Sequence, residues 1–486
     1  MKVERAVHEI ADHGSPQYIQ DIQGANIVEK ALNKKEYVMD MTEGSSMKLI
    51  MRFSVPLLIG NLFQQVYSLV DSIVVGRHLG ANALGGVGSV GMISFLFFSL
   101  CNGMTSGIGV VISRYFGAEK DEQVKKAIAN ALFVILAVGA LMSILGFGFA
   151  GPLIRLMKTP AETFDYAYTY MRITCGFTMA VAIYNGISAV LRALGDSKTP
   201  LIFLMVASAI NVVLDIVFVI YMDMGVAGAA YATVLSQILS GVGSICYAVK
   251  TNPYFRLKRC HFKFDKEIIK EDFNIGIPMA VQTSMISISC SILQTLINGY
   301  GPEVMAAYTA TGKVEGIIFQ PFSSLGLALS TFAGQNCGAR KYERVRRAVW
   351  QTELITLALG AALFCLIAVF RENVVGFFVT EENVIRLGAK GLVISGSMYI
   401  ALGTIYTMRG ALNGMGDVVF SMLNGALEVG GRIVFALILM YVIKMGFWGV
   451  WYTNIFTWIV IALTASVRFA VYIRKCQRED DGTENA

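Results

Sequence analysis

Shifting the sequence by 221 residues lays its second half over its first without a gap. Gly117-Ala118-Glu119-Lys120, with Glu122, Val124 and Ala127, falls on Gly338-Ala339-Arg340-Lys341, with Glu343, Val345 and Ala348. Gly195-Asp196 falls on Gly416-Asp417; Gly225, Gly228 and Tyr231 fall on Gly446, Gly449 and Tyr452; Pro56 and Pro278 pair with a one-residue slip. Agreement at one offset in separate stretches marks an internal duplication. Whatever the first half folds into, the second must repeat.

The repeated material is apolar. Hydrophobic residues make up 55% of the 486 and charged residues 15%, with a mean hydropathy of +0.59, which excludes an ordinary soluble core. Runs long enough to cross a bilayer fall near 50–76, 84–115, 127–150, 164–194, 200–222 and 226–249, then near 271–298, 304–334, 347–370, 385–414, 419–443 and 447–473. The expected fold is therefore an all-α membrane protein of twelve transmembrane helices in two six-helix lobes. Six is even, so the second half enters the membrane from the same side as the first. The lobes are then parallel repeats about an axis along the membrane normal, a geometry suited to rocking around a central cleft.

The same pattern divides the chain. Residues 1–47 form a polar segment with no apolar core of signal-peptide length. It is expected to be disordered or not native, since MTEGSSMKLIMRF from Met41 reads as a plausible start. Residues 48–249 and 271–473 are the two lobes, 250–270 a charged, aromatic linker, and 474–486 a polar tail. Basic residues number 21 in the connections 117–126, 192–198, 249–271, 338–347 and 468–478, against 7 on the opposite side. Both termini, linker and tail are thus expected in the cytoplasm. The net charge of +6 belongs to this asymmetry and not to nucleic-acid binding.

Eight scattered cysteines form no CxxC pair, and none of the four histidines lies in an apolar run. Neither a histidine-ligated intramembrane metal nor the nucleophile–base pair of a membrane enzyme is indicated.

Acids within the apolar runs are the functional candidates, because a carboxylate at that depth costs roughly 2.5–3.5 kcal/mol to insert. Asp215 shares one face of the fifth span with Ser208 and Asn211. Asp71, in the first span, lies at nearly the same depth, and the sixth span brings Thr233 to that level. Two carboxylates, an amide and a hydroxyl make an oxygen-rich cluster suited to a hard monovalent cation or to shared protons. The partners of Asp71, Asn211 and Asp215 under the shift are Ile292, Arg432 and Ala436, so the cluster belongs to the first half alone. In the second half Glu428 and Arg432, one turn apart, read as an ion pair. With Gln282 they are candidates for a substrate cavity.

At these residues the sequence resembles the MATE (multidrug and toxic compound extrusion) transporters. The resemblance runs from about Met41 to Arg474 on FSVPLLIGNLFQQVYSLVDSIVVGRHLG, LRALGDSKTP, NVVLD, GVAGAAYAT and FAGQNCGARKYERVRRA. It looks closest to the DinF-like and MepA-like branch, where an acid cluster in the N-terminal lobe is the coupling site. The resemblance implies that Asp71, Asn211, Asp215 and Thr233 bind the coupling cation, Na⁺ or H⁺, with Asn185 supporting them. It implies an antiporter of the bacterial inner (plasma) membrane that exports amphipathic, often cationic drugs or metabolites, acts as a monomer and needs no cofactor. The other branch carries acids in spans 7 and 10, which here have none in their membrane-spanning parts. The alternative is a flippase for a lipid-linked saccharide or cell-wall precursor.

Overall fold

The computed structural model describes residues 38–156 and 159–484. In hydrocarbon every backbone N–H and C=O must find a partner within the chain, which a helix supplies locally. The elements are α1 (Ser46–Leu79), α2 (Ala81–Gly117), α3 (Asp121–Leu156), α4 (Ala161–Gly176), α5 (Thr178–Ala193), α6 (Lys198–Asp215) and α7 (Gly225–Thr251), then α8 (Lys266–Asn298), α9 (Pro302–Gly338), α10 (Tyr342–Gly376), α11 (Glu382–Gly396), α12 (Tyr399–Met415), α13 (Val418–Leu437) and α14 (Trp448–Glu484). Ten of these are long and apolar enough to span, α6 and α13 each with a π-helical continuation at the C-terminus. The pairs α4–α5 and α11–α12, bent by 43° and 51°, each make one broken span, which completes the expected twelve.

The duplication is written in the backbone. Apart from Gly44, the positive-φ residues among those described come in pairs 221 apart: Gly80 and Gly301, Glu119 and Arg340, Gly195 and Gly416, Asp223 and Lys444, Gly225 and Gly446. Each pair closes the same turn between helices, where a left-handed residue lets the chain reverse. Asp196 and Asp417, also equivalent, have diverged. Asp196 caps α6 through the amides of Lys198 and Thr199, both at 3.0 Å, while Asp417 holds the Arg468 guanidinium at 2.6 and 3.1 Å.

Helices α1–α7 form one lobe and α8–α14 the other, and they meet where backbones approach closely. A methyl group at Gly117 would lie 1.8 Å from the Gln335 carbonyl oxygen, and one at Gly338 would lie 2.0 Å from that of Arg114. Gln335 and Arg114 are themselves 221 apart, so α2 and α9 touch twice, symmetrically, about the two-fold axis. Farther along these helices the equivalent Gly91 and Gly312 have nothing within 4 Å. The symmetric α2–α9 contact thus lies at the end of these helices that carries the linker. Beside the axis α2 crosses α8, with Gly103 against the Ala280 backbone and Gly107 against that of Gly276. Their counterparts on α9 are Ser324 and Ala328; there Asn61 of α1 donates to the Ser324 hydroxyl at 3.2 Å.

The linker rides on the N-terminal lobe. Tyr254 donates its hydroxyl to Asp121 at 2.6 Å, and Asn130 bonds the Lys263 carbonyl and the Asp265 amide at 3.3 and 3.0 Å. His261 accepts the Lys258 amide at Nδ1, which leaves the proton on Nε2, 3.0 Å from Glu122.

Residues 38–47 correct the expectation of disorder for their part of the N-terminal segment; residues 1–37 lie outside the described ones. Met41 is fully buried against Phe332, Val345 and Phe469 of the C-terminal lobe. Its amide donates to Gln335 Oε1 at 2.8 Å and its carbonyl accepts from Asn336 at 3.1 Å. Lys341 and Arg344 donate to the carbonyls of Thr42 and Glu43, both at 3.0 Å. Gln335 also donates to the Ala193 carbonyl at 2.9 Å, and Val38 packs in the core of the N-terminal lobe. The segment's polar composition hid two apolar anchors.

Two outcomes follow. Gly117→Ala and Gly338→Ala should each destabilise the protein by about 1–3 kcal/mol through overpacking, whereas Gly430→Ala, with open space around it, should not; thermal melts in detergent compare the three. Met41→Ala should cost about 2–5 kcal/mol, as for other buried methionines, read in the same assay.

Candidate functional site

Asn211 and Asp215 lie one turn apart on α6, the first 1% and the second 0% exposed. Asp215 ends the α-helical part of α6, and a π-helical segment, Ile216–Tyr221, continues it. Such wide turns are frequent at functional sites because they re-aim the adjoining side chains. Asn211 donates its amide to Thr233 of α7 at 3.5 Å, which leaves its Oδ1 free. Ser208, on the same face, bonds back to the Leu204 carbonyl. Asp71 of α1 lies within electrostatic reach of Asp215.

The donors are missing. Both oxygens of Asp215, Oδ1 of Asp71 and Oδ1 of Asn211 are buried with no hydrogen-bond partner among the described residues, and neither acid takes part in an ion pair. Leaving one buried acceptor unmade costs about 1–3 kcal/mol, more when it is charged. Four such acceptors on α1 and α6 mark the candidate site. Among the described residues no three His, Cys, Asp or Glu side chains converge on a point.

The sequence missed two neighbours of this cluster. Tyr67 and Tyr170 are half-buried and both stand in the field of the two carboxylates. Tyr67 was accessible, being four residues before Asp71 on the same helical face. Tyr170, on α4, carried no signal. Asn185 is not brought to the acids. Its neighbour Tyr184 packs at Gly241 and donates to the Pro200 carbonyl at 3.3 Å, and Gly241 lies eight residues along α7 from Thr233. At 1.5 Å per residue that is about 12 Å toward the linker end.

In the C-terminal lobe the expected pair is a triad. Glu428 accepts from Arg432 at 3.1 Å and from Arg409 of α12 at 2.7 Å, and all three side chains are buried. Arg409 also bonds Asn424 at 2.8 Å, Asn424 bonds Thr464 at 2.9 Å, and Arg432 reaches the Cys290 sulfur of α8 at 3.3 Å. One carboxylate between two guanidiniums leaves the group positively charged. Sequence spacing found Arg432, one turn away, but not Arg409, which arrives from another span.

Of the three residues expected to line a substrate cavity, Gln282 lines one between the lobes. A cavity of about 200 Å³ lies between the lobes, and its lining includes Gln282, Arg192, Arg409 and Asn413. Gln282 accepts there from Asn413 at 3.4 Å. Glu428 and Arg432 are held in the triad, Glu428 by both arginines and Arg432 also by Cys290 of α8.

Two parallel six-helix lobes carrying buried, unpaired acids define a polytopic membrane transporter. The chain belongs to the MatE family, whose model matches it twice, over residues 56–217 and 278–439, once in each half. It is 29% identical over 407 residues to "Probable multidrug resistance protein YoeA" of Bacillus subtilis, covering 82% of this chain and 88% of that one. It is 31% identical over 387 residues to "Probable multidrug resistance protein YpnP" of the same organism, covering 78% and 85%. A solved structure described as the "Outward-facing conformation of a multidrug resistance MATE family transporter of the MOP superfamily" superposes with a TM-score of 0.85 at 23% identity, over 90% of this chain and 98% of that one.

Replacing Glu428 by Gln would strand two buried guanidiniums, a loss of about 3–5 kcal/mol. Glu428→Gln should therefore lower folded yield in detergent-solubilised membranes, measured by fluorescence-detected size exclusion, and adding Arg409→Met should recover part of it.

Proposed function

We propose that the protein is a secondary antiporter that exports amphipathic, often cationic organic compounds in exchange for Na⁺ or H⁺, with Asp71, Asn211, Asp215 and Thr233 as the coupling site. The observation that carries this reading is the set of buried, partnerless oxygens between α1 and α6. A site that demands positive charge binds the ion with different affinity as α1 and α6 shift, and a ligand moves a conformational equilibrium only by such a difference. The names of the two relatives, both multidrug resistance proteins, support the substrate class. The 21 basic residues on the linker side against 7 on the other support a cytoplasmic position for both termini. The protein acts as a monomer in a bacterial inner membrane, since one chain holds both lobes and the site.

Purified protein in vesicles loaded with a fluorescent organic cation, under separately imposed Na⁺ and proton gradients, tests the coupling. Asp71→Asn and Asp215→Asn should each abolish gradient-driven transport while binding of the cation in detergent persists. Parent-like transport by both variants would remove the acids from the mechanism.

Orientation has its own test. A single cysteine at Asp223 should react with an impermeant maleimide on intact cells, and one at Lys341 only after permeabilisation. The reverse pattern would invert the topology.

A further inference from the structure

A second buried acid, unrelated to the first by the repeat, lies in the C-terminal lobe. Glu353 is in the third turn of α10, 6% exposed, facing α12. No charged group takes part in its surroundings among the described residues: it makes no ion pair, and the groups that act on it are the hydroxyls of Thr404, Thr407 and Thr356. Its Oε1 accepts from Thr404 at 2.5 Å, and its Oε2 is buried with no partner. Thr356 and Thr407 are fully buried, their oxygens 3.3 Å apart.

The hydrogens are already committed. Thr356 donates to the Glu353 carbonyl at 2.9 Å and Thr407 to the Gly403 carbonyl at 3.1 Å, while Thr404 gives its proton to Glu353 Oε1. A hydroxyl has one proton and two lone pairs, so the two hydroxyls bonded back to their own helices turn lone pairs toward the carboxylate. The result is a pocket of acceptors with too few donors. A proton on Oε2 would satisfy one acceptor, whereas a small hard cation satisfies several at once.

The other half of the chain shows what this place looks like as ordinary packing. The equivalents of Glu353, Thr356, Thr404 and Thr407 are Leu132, Ile135, Ile183 and Gly186, with no polar side chain. There Ile135 fills the space, its Cδ1 2.3 Å from where a side chain on Gly186 would begin. The polar cluster is thus an addition to one lobe, just as Asp71, Asn211 and Asp215 are an addition to the other.

We propose that Glu353, with Thr356, Thr404 and Thr407, forms a second Na⁺ site, placed between α10 and α12 of the C-terminal lobe. It is separate from the proposed coupling site and does not depend on which ion that site takes.

The test is ²²Na⁺ binding to the purified full-length chain in detergent, with choline replacing Na⁺ as the blank. In the Asp71→Asn/Asp215→Asn background, which removes the first site, saturable Na⁺ binding should remain. Adding Glu353→Gln should weaken it by at least about tenfold, in the range seen when groups around a bound ion are altered. Thr404→Val, which keeps the carboxylate and the side-chain shape, should weaken it in the same direction, and Na⁺ should raise the melting temperature of the background protein but not of its Glu353→Gln derivative. Absence of Na⁺ binding in the folded background protein, or binding untouched by Glu353→Gln and Thr404→Val, would overturn the assignment and leave Glu353 a protonated packing residue. Failure of the coupling reading would show instead as normal gradient-driven transport by the two aspartate variants.

Discussion

The arrangement depends on how closely α2 and α9 can approach at the linker end. Gly117 sits against the Gln335 carbonyl and Gly338 against that of Arg114, with no room for a methyl group at either place. Lipid tails are as apolar as leucine side chains, so little hydrophobic force drives helices together within a bilayer. Association rests on packing of small residues and on hydrogen bonds. The glycines allow the backbones to meet, and that contact fixes the axis about which the halves are related.

Around that axis the two halves share a backbone but not an electrostatic character. Arg432 stands where Asn211 stands in the first half, and Glu428 stands where Ala207 does. The N-terminal lobe gathers two carboxylates with no base, while the C-terminal lobe surrounds one carboxylate with two guanidiniums. The first arrangement leaves its carboxylate oxygens without donors, while in the second ion pairs tie α12 to α13 through Glu428.

Much of this was legible in the residues. The 221-residue offset gave the two lobes and their parallel relation, and it reappears in five pairs of left-handed turn residues. Depth counting along the first and fifth spans, which run the same way, put Asp71 and Asp215 at one level, because a straight helix converts residue number into height. Asn185, which the resemblance set in support of them, sits beside Tyr184 at the level of Gly241. What escaped was whatever depends on rotation and on tertiary neighbours. Arg409 and Tyr170 reach their sites from separate elements, and nothing in their local sequence says which way they face. Glu353 lies within the 347–370 run, but nothing in its local sequence says that Thr404 and Thr407 of another span face it. Residues 38–47 escaped for another reason: two buried apolar side chains, Val38 and Met41, are too few to register against a polar background.

Those two side chains have a mechanical consequence. Val38 is seated in one lobe and Met41 in the other, with two residues between them. An extended chain covers at most about 3.3–3.6 Å per residue, so three steps reach about 10–11 Å. The segment is a leash of fixed length slung between the lobes at the linker end. While both anchors stay in place, the points they hold cannot part by more than that reach, however hard a substrate or an ion pulls on the rest of the molecule.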